Sequence, residues 1–442
     1  MSHPVTAREA QIRHEESEVL LTQSRSNTVL LLLGLSVLIN YIDRSNLSIA
    51  APLLKDELHI SATQLGTLLS AFFVPYCCLQ IPAGWLADRF DVKWVFAAGF
   101  FIWSTATAVT GLLHGFAALL LIRVVLGVGE SVAFPSYSKI LGSHFHDTRR
   151  GFANSIIAAG LALGPAAGML IGGTAVGRFG WRPFFIALGL LGFLWLAPWI
   201  ASMPARRAPS PHQVQASSAG ILDVLRQRSA WGMCLCQFSI NYGLYFLVTW
   251  LPFYLVRGRN MSMNQMARVG GLVFLLSAIS AISFGKIADR WTSAGASPTR
   301  VYKGLLIVGK LGWGLALILT ALAPAHLVVW MLAIMGIFNG IVNGNVWAVS
   351  QIVAGRRMVG RWTGLQNFVG NFAGWIAPAL TGFLLDRTGH FYWPFFIAAA
   401  MLWIGALSWI FIVGPVEAVN WDSSRPDVAA IAVRAAPQSP LS

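Results

Sequence analysis

Charge is scarce in this sequence. Only 11% of its 442 residues are charged, whereas 56% are hydrophobic. A soluble domain of this size carries more charge and less apolar surface, so the composition excludes an ordinary soluble globular protein. The formal net charge is +14, but no basic stripe with interleaved aromatic residues accompanies it, so we expect no nucleic-acid partner.

Cysteine and histidine are also few, and neither forms a reactive pattern. The four cysteines, Cys77, Cys78, Cys234 and Cys236, lie in apolar segments without the spacing of a metal or redox motif. The nine histidines lie in tails, loops or the ends of apolar segments. We therefore expect no metal, no cofactor and no intramembrane enzyme site.

Long apolar runs are abundant. Twelve of them reach about 20 residues, the length needed to cross the hydrocarbon layer. Helices satisfy their backbone groups internally, as a bilayer requires. The sequence therefore predicts an all-α membrane protein with twelve transmembrane helices embedded in the lipid bilayer. The runs begin near residues 28, 63, 94, 116, 150, 181, 230, 266, 302, 325, 361 and 391.

Polar segments divide the chain into two six-helix bundles. The polar first 27 residues contain acids among their arginines and do not resemble the basic start of a signal peptide. About two-thirds of the 31 Lys and Arg fall on the side of the termini and the central linker, which places both termini in the cytoplasm. The predicted divisions are a cytoplasmic tail (1–27), a first bundle (28–203), a cytoplasmic linker (204–228), a second bundle (229–414) and a cytoplasmic tail (415–442).

The two bundles repeat each other. Gly84-x-x-x-Asp88-Arg89 after the second run recurs as Gly285-x-x-x-Asp289-Arg290 after the eighth. A Pro-Phe-Phe-Ile-Ala segment begins at Pro183 and again at Pro394. The two copies are 211 residues apart, close to the 201 residues that separate Gly84 from Gly285. Duplicated halves with a site between them near the bilayer midplane are the recurrent plan of secondary transporters. A membrane sensor without transport would not need two matched halves.

Five charged side chains fall well inside the predicted spans: Asp43, Arg44, Arg123, Glu130 and Lys310. Each costs roughly 2.5 to 3.5 kcal/mol at the centre of a bilayer, so a use for them is expected. Arg123 and Glu130 are two turns apart on one face, about 10 Å along the axis, which leaves room for a substrate carboxylate or for Arg44. Asp43 and Arg44 point about 100° apart, so one should line a cavity while the other reaches sideways to span four.

Two plainer interpretations remain open for these charges. The four charges of spans one and four could form a static network that locks the first bundle together. Lys310 could extend along its neighbours toward the membrane surface.

The duplicated Gly-x-x-x-Asp-Arg element resembles the signature loop of the major facilitator superfamily, with Asp91 in place of the usual glycine. We expect Gly84 to permit close helix approach. Asp88 and Arg89, with Asp289 and Arg290 in the second copy, are expected to join neighbouring helix ends as a gate element.

Other segments resemble the anion:cation symporter branch of that superfamily, which includes hexuronate, galactonate and phthalate permeases. They are Asn40-Tyr-Ile-Asp43-Arg44, Arg123-x-x-x-Gly127-x-Gly129-Glu130, Tyr245 to Pro252, and Gly364 to Asn371. The resemblance implies proton-coupled symport of a small organic anion, such as a sugar acid or an aromatic or dicarboxylic acid. We also expect a monomer in the bacterial inner membrane.

The resemblance further implies roles for individual residues. Arg44 and Arg123 correspond to residues that hold the substrate carboxylate, and Asp43 and Glu130 to proton-carrying acids. The remaining predicted substrate-binding residues are polar side chains of spans one, two, seven and eleven: Tyr41, Tyr76, Asn241, Tyr242 and Asn367. The amides of spans seven, ten and eleven could equally serve as hydrogen bonds between helices.

One stretch departs from this pattern. Residues 158–168 of span five are wholly apolar, whereas galactonate-type carriers have a glutamine there, which favours a less polar or aromatic carboxylate. The same stretch, Gly160-x-x-x-Gly164-Pro165-x-x-Gly168, resembles a motif of drug-exporting antiporters. Proton-driven efflux is therefore the alternative function, although two cavity arginines disfavour cationic compounds.

A coupling hypothesis follows from the charges. The arginines keep Glu130 ionised until a substrate carboxylate takes over one of them, and protonation of Glu130 then becomes favourable. Linkage makes the effect reciprocal, so anion and proton bind together. Asp43 is either a second proton site or a sensor that lets the loaded carrier close.

Overall fold

The computed structural model describes residues 23–145, 147–204 and 221–421. Twelve helices in this part of the chain are long and apolar enough to span a membrane, and each begins within four residues of its predicted start. The predicted all-α, twelve-helix membrane fold is confirmed. The helices are α1 (Arg25–Leu58), α2 (Ala62–Arg89), α3 (Val92–Thr110), α4 (Phe116–His144), α5 (Phe152–Phe179), α6 (Trp181–Ser202), α7 (Arg228–Gly258), α8 (Met263–Ser293), α9 (Pro298–Leu322), α10 (Ala325–Gly355), α11 (Met358–Thr388) and α12 (Tyr392–Phe411).

Residues outside the spans are described only in part. Regular helix continues before two spans, beginning at Gln23 for α1 and at Asp147 for α5. A short helix, Ile221–Leu225, lies within the predicted linker. Residues 1–22 of the first predicted tail, 205–220 of the linker and 422–442 of the last tail lie outside the described residues.

Prolines interrupt α2 and α4, two of the helices that contribute side chains to the buried charges and their aromatic neighbours. The regular helical hydrogen-bond pattern of α2 is interrupted between Ser70 and Phe73, and that of α4 is interrupted at Val132. Pro75 and Pro135 follow shortly after these breaks. Because proline lacks an N–H and crowds the carbonyl four residues earlier, each break has a local cause. Both breaks lie at the level of the buried charges.

The two bundles pack closely where α1 leads into α2, a region called here the α1–α2 end. Gly66 of α2 lies against α11, where an added Cβ would stand 2.5 Å from the Pro378 carbonyl oxygen. Gly382 of α11 lies against α2 in the same way, with an added Cβ 2.2 Å from the Ala62 carbonyl oxygen. Only glycine allows the two backbones to approach this closely.

A carboxylate also joins the bundles at the α1–α2 end. Asp386, in the last turn of α11, accepts hydrogen bonds from the backbone N–H of Ala62 at 2.9 Å and of Thr63 at 2.6 Å. These N–H groups begin α2 and have no acceptor within their own helix, so a carboxylate from the other bundle caps them. We call this arrangement the Asp386 latch. Nearby, Arg257 of α7 forms an ion pair with Asp56 of α1.

The contact between α2 and α11 loosens toward the other end, called here the linker end. Midway along the pair, the Asn367 amide donates to Gln80 Oε1 at 3.4 Å. One turn further, an added Cβ on Gly84 or Gly364 would meet none of the described atoms within 4 Å. The α2–α11 contact is therefore closed at the α1–α2 end and open at the linker end. The close helix approach expected at Gly84 is not found, because none of the described atoms lies within 4 Å of an added Cβ there.

The signature-loop residues lie at the linker end. Asp88 accepts from Lys139 Nζ of α4 at 2.7 Å, an ion pair that joins the end of α2 to α4, and the gate role of the loop stays a prediction. The Arg89 guanidinium lies 5.6 Å from the Trp85 ring of its own helix. Asp91, at the unusual position, accepts from the backbone N–H of Lys93 at 3.0 Å and thereby caps α3.

The second copy of the loop makes different contacts. Asp289 accepts from the Tyr302 hydroxyl of α9 at 3.4 Å, so a neutral phenol takes the place of the lysine. Arg290 is exposed.

Candidate functional site

The four charges of α1 and α4 lie together inside the first bundle. Arg44 Nε donates to Glu130 Oε2 at 2.9 Å and forms an ion pair between α1 and α4. Arg44, Arg123, Glu130 and Asp43 are all buried, between 0% and 7% exposed. The sequence left room beside Glu130 for either a substrate carboxylate or Arg44, and the structure places Arg44 there. We call these four residues the charge cluster.

Three aromatic rings surround the Arg44 guanidinium. Its central carbon lies 4.4 Å from the Tyr76 ring centroid, 5.0 Å from that of Tyr41 and 5.3 Å from that of Phe72. The Arg123 guanidinium lies 5.4 Å from the same Phe72 ring. Such contacts help to hold a cation in a dry site, so Phe72 separates and supports both arginines. The predicted positions Tyr41 and Tyr76 are thus brought to the cluster, whereas Phe72 was not predicted.

Several polar atoms of the cluster have no hydrogen-bond partner in the described protein. They are Arg44 Nη2, Arg123 Nε and Glu130 Oε1, all buried. Buried polar groups in proteins nearly always have a hydrogen-bond partner, so several unmatched atoms in one small region indicate a binding site for a ligand. Two guanidinium donors suit the oxygens of a carboxylate, with which arginine makes charge-assisted hydrogen bonds.

Asp43 faces a different helix from Arg44. Its Oδ1 accepts from the Thr107 hydroxyl of α3 at 3.1 Å and from the Asn46 amide at 3.2 Å. Among the described residues, no arginine or lysine lies within 4.0 Å of its carboxylate. The expected divergence of Asp43 and Arg44 is therefore found. Asp43 is 3% exposed and turns toward α3, while Arg44 reaches α4.

The second bundle approaches the cluster through Tyr245 of α7. The Tyr245 ring lies 4.4 Å from the Phe73 ring of α2. Its hydroxyl donates to Asn371 Oδ1 at 2.7 Å, and the Asn371 amide donates to the Asn367 carbonyl oxygen at 2.9 Å. Asn367, which also reaches Gln80 of α2, lies where the two bundles meet, and its role in substrate binding stays a prediction. Tyr245 and Asn371 were not among the predicted substrate-binding residues, although both belong to the dense set of polar residues in α7 and α11.

Asn241 and Tyr242 lie elsewhere in the second bundle. Asn241 Oδ1 accepts from Gln237 at 2.9 Å, Gln237 accepts from Gln366 at 3.2 Å, and Gln366 accepts from Ser350 at 2.7 Å. This chain joins α7, α11 and α10, which fits the alternative of hydrogen bonds between helices. The buried Tyr242 ring packs near Phe238. No contact of Asn241 or Tyr242 with the charge cluster is found in the described chain.

Lys310 is separate from the cluster. It is fully buried in the second bundle, and its ammonium group donates to the Cys236 carbonyl oxygen at 3.0 Å and to Ser239 Oγ at 2.5 Å. These contacts join α9 to α7. The alternative of extension toward the membrane surface is therefore wrong.

Twelve spans in two bundles, with a buried cluster of opposite charges beside their junction, define a multi-pass membrane protein with the architecture of a secondary transporter. Residues 33–378 match the model of the Major Facilitator Superfamily. The chain belongs to this superfamily and, within it, to the branch of anion transporters.

Similar proteins agree with this assignment. The chain is 30% identical to a probable L-galactonate transporter of Escherichia coli K12, over 87% of this chain and 89% of the relative. It is 30% identical to a hexuronate transporter of Bacillus subtilis, over 88% and 94%. It is 31% identical to a probable sulfoacetate transporter of Cupriavidus necator, over 88% and 95%.

The same fold occurs in a solved structure. A bacterial homolog of the human lysosomal transporter Spinster, in an inward-facing and unoccupied conformation, superposes with a TM-score of 0.75. The match covers 89% of this chain and 98% of that chain at 20% sequence identity.

Proposed function

We propose that this protein is a proton-coupled symporter that takes up a small organic anion by alternating access. The observation that carries the proposal is the charge cluster, in which Arg44 and Arg123 retain buried donors with no partner in the described protein. The galactonate, hexuronate and sulfoacetate named for three relatives are all organic anions, which supports this class of substrate.

The substrate carboxylate binds Arg123 and Arg44. Their unmatched Nε and Nη2 atoms are the donors, and Phe72 keeps both guanidinium groups in place. Tyr41 and Tyr76 flank the anion from the first bundle. Asn367 supplies a neutral polar contact from the second bundle, which closes over the anion when the bundles move.

Proton coupling follows from competition for Arg44. Glu130 accepts a hydrogen bond from Arg44 at 2.9 Å, and the neighbouring Asn40 side chain also acts on its carboxylate. A substrate carboxylate that bonds Arg44 removes part of the compensating charge from Glu130, which remains fully buried. Uptake of a proton by Glu130 then restores neutrality, so anion and proton bind together.

The protein lies in the bacterial inner membrane as a monomer, with both termini in the cytoplasm. In this orientation the α1–α2 end is periplasmic and closed, and the linker end opens toward the cytoplasm. The proton gradient drives transport, which requires no cofactor. The chain catalyses no covalent chemistry.

The test is transport by purified protein in proteoliposomes. Glu130→Gln should abolish accumulation driven by a pH gradient but retain exchange of labelled for unlabelled anion at equal pH. The matched control is Glu57→Gln, since Glu57 is an exposed acid at the α1–α2 end that pairs with Arg182. Proton-driven accumulation by Glu130→Gln at the wild-type level would refute the coupling scheme.

The substrate is identified in the same system. Galactonate, a hexuronate, sulfoacetate and an aromatic carboxylate compete with one another for exchange, and their order of potency defines the preferred class. The apolar residues 158–168 predict weak discrimination among hydroxyl patterns. Export of cationic compounds, with no exchange of any acid, would instead establish the efflux alternative.

A further inference from the structure

The Asp43 carboxylate is held by neutral groups, unlike Glu130. Thr107 Oγ1 of α3 donates to Asp43 Oδ1 at 3.1 Å, and Asn46 Nδ2 of α1 donates to the same oxygen at 3.2 Å. All three residues are buried, between 0% and 3% exposed. Thr107 comes from α3, which contributes no member of the charge cluster.

We propose that Thr107 is a positioning residue that holds Asp43 against α3 and sets the pH at which Asp43 takes up a proton. This proposal rests on the proposed function and adds to it the role of Asp43 as a second proton site, one of the two roles that the sequence predicts.

The charges that face Asp43 come from α4 and from its own helix. Arg123 and Glu130 act on it from α4 with opposite signs, and Arg44 follows it on α1. Because these charges oppose one another and none is a cationic hydrogen-bond partner, donors from Thr107 and Asn46 are the direct stabilisation of ionised Asp43. Loss of one donor makes protonation easier.

A hydroxyl suits this position for a second reason. It donates to an ionised carboxylate and, after rotation, accepts from a protonated one. Thr107 can therefore remain bonded to Asp43 before and after proton uptake, but the bond to the ionised carboxylate is charge-assisted and stronger, so Thr107 still favours the ionised form. An aliphatic side chain of the same shape offers neither contact.

The experiment measures the pH dependence of anion uptake in proteoliposomes. Thr107→Val should move the midpoint upward by about half to one pH unit, the change expected from one neutral hydrogen bond. Thr107→Ser, which keeps the hydroxyl, should restore the wild-type midpoint. The matched control is Thr110→Val, because Thr110 is equally buried on α3 but donates to the Ala106 carbonyl oxygen of its own helix.

A second comparison separates this proposal from the proposed function. In an Asp43→Asn background, Thr107→Val should cause no further change in the midpoint, since the residue through which it acts has lost its charge. If Asp43→Asn alters coupling but Thr107→Val keeps the wild-type midpoint, the role of Thr107 is refuted and the proposed function stands. If Asp43→Asn leaves proton-coupled uptake unchanged, the roles of both residues are refuted.

Discussion

The Asp386 latch offers a direct test of how the two bundles stay closed at the α1–α2 end. Asp386→Ala removes the acceptor of the Ala62 and Thr63 N–H groups. Loss of a side-chain cap costs about 1 kcal/mol, and the exposure of this carboxylate argues against a larger value. Because both N–H groups become accessible to water when the bundles separate, this energy favours the closed state. Its loss should raise the ratio of open to closed molecules about fivefold.

The distance between spin labels on the two bundles measures that ratio. Leu112, after α3, and Leu322, at the end of α9, are about equally exposed, at 60% and 61%, and lie at the α1–α2 end of opposite bundles. After replacement of the four native cysteines by serine, Leu112→Cys and Leu322→Cys carry the labels. Asp386→Ala should increase the population at long distance.

Two further variants make the experiment specific. Asp386→Asn keeps a side-chain acceptor and should retain much of the closed population, because asparagine caps helices about as well as aspartate. Arg387→Ala is the matched control, since the Arg387 guanidinium lies over Phe383 of its own helix. A distance distribution for Asp386→Ala identical to that of Arg387→Ala would show that the latch does not hold the bundles together.

Two other predictions concern buried cations. Arg123→Lys keeps the charge but loses the planar donor group, so the KM for anion exchange should rise about tenfold; an unchanged KM would exclude Arg123 from anion binding. Lys310→Ala should lower the free energy of unfolding by about 2 to 4 kcal/mol in detergent, whereas Lys310→Met refills the volume and should cost less than half as much. Loss of transport by a stable Lys310→Met protein would contradict a structural role for Lys310.

The sequence was sufficient for the fold because its signals are local. Each apolar run is bounded by polar or helix-breaking residues, and the bilayer permits essentially one way to satisfy such a run. The burial of Asp43 and Arg44 was equally predictable, since both lie in the middle of a long apolar segment. Their divergence followed from helix geometry alone.

The partners of those side chains could not be predicted in the same way. Thr107 and Phe72 have no unusual local sequence, and they contact the charges only because α3 and α2 pack beside α1 and α4. Asn241 could bind substrate or join helices, and the choice depended on whether Gln237 of α7 and Gln366 of α11 are in contact. The open space at Gly84 depends on the distance between α2 and α11 at that level, which composition and periodicity do not encode.

The contact between α2 and α11 is close at the α1–α2 end and open at the linker end, and this difference limits the motion that a transport cycle requires. From Gly66 to Gly84 the helix rises by about 27 Å, so one degree of rotation about the glycine crossing shifts the far end by about 0.5 Å. A tilt of several degrees is thus enough to close the linker end, bringing Gly84 and Gly364 a few ångströms nearer while the crossing itself barely moves. Opening of the α1–α2 end is a separate movement, which parts both the crossing and the Asp386 latch. Bulkier side chains at this fulcrum should slow the turnover of the carrier without altering its choice of substrate.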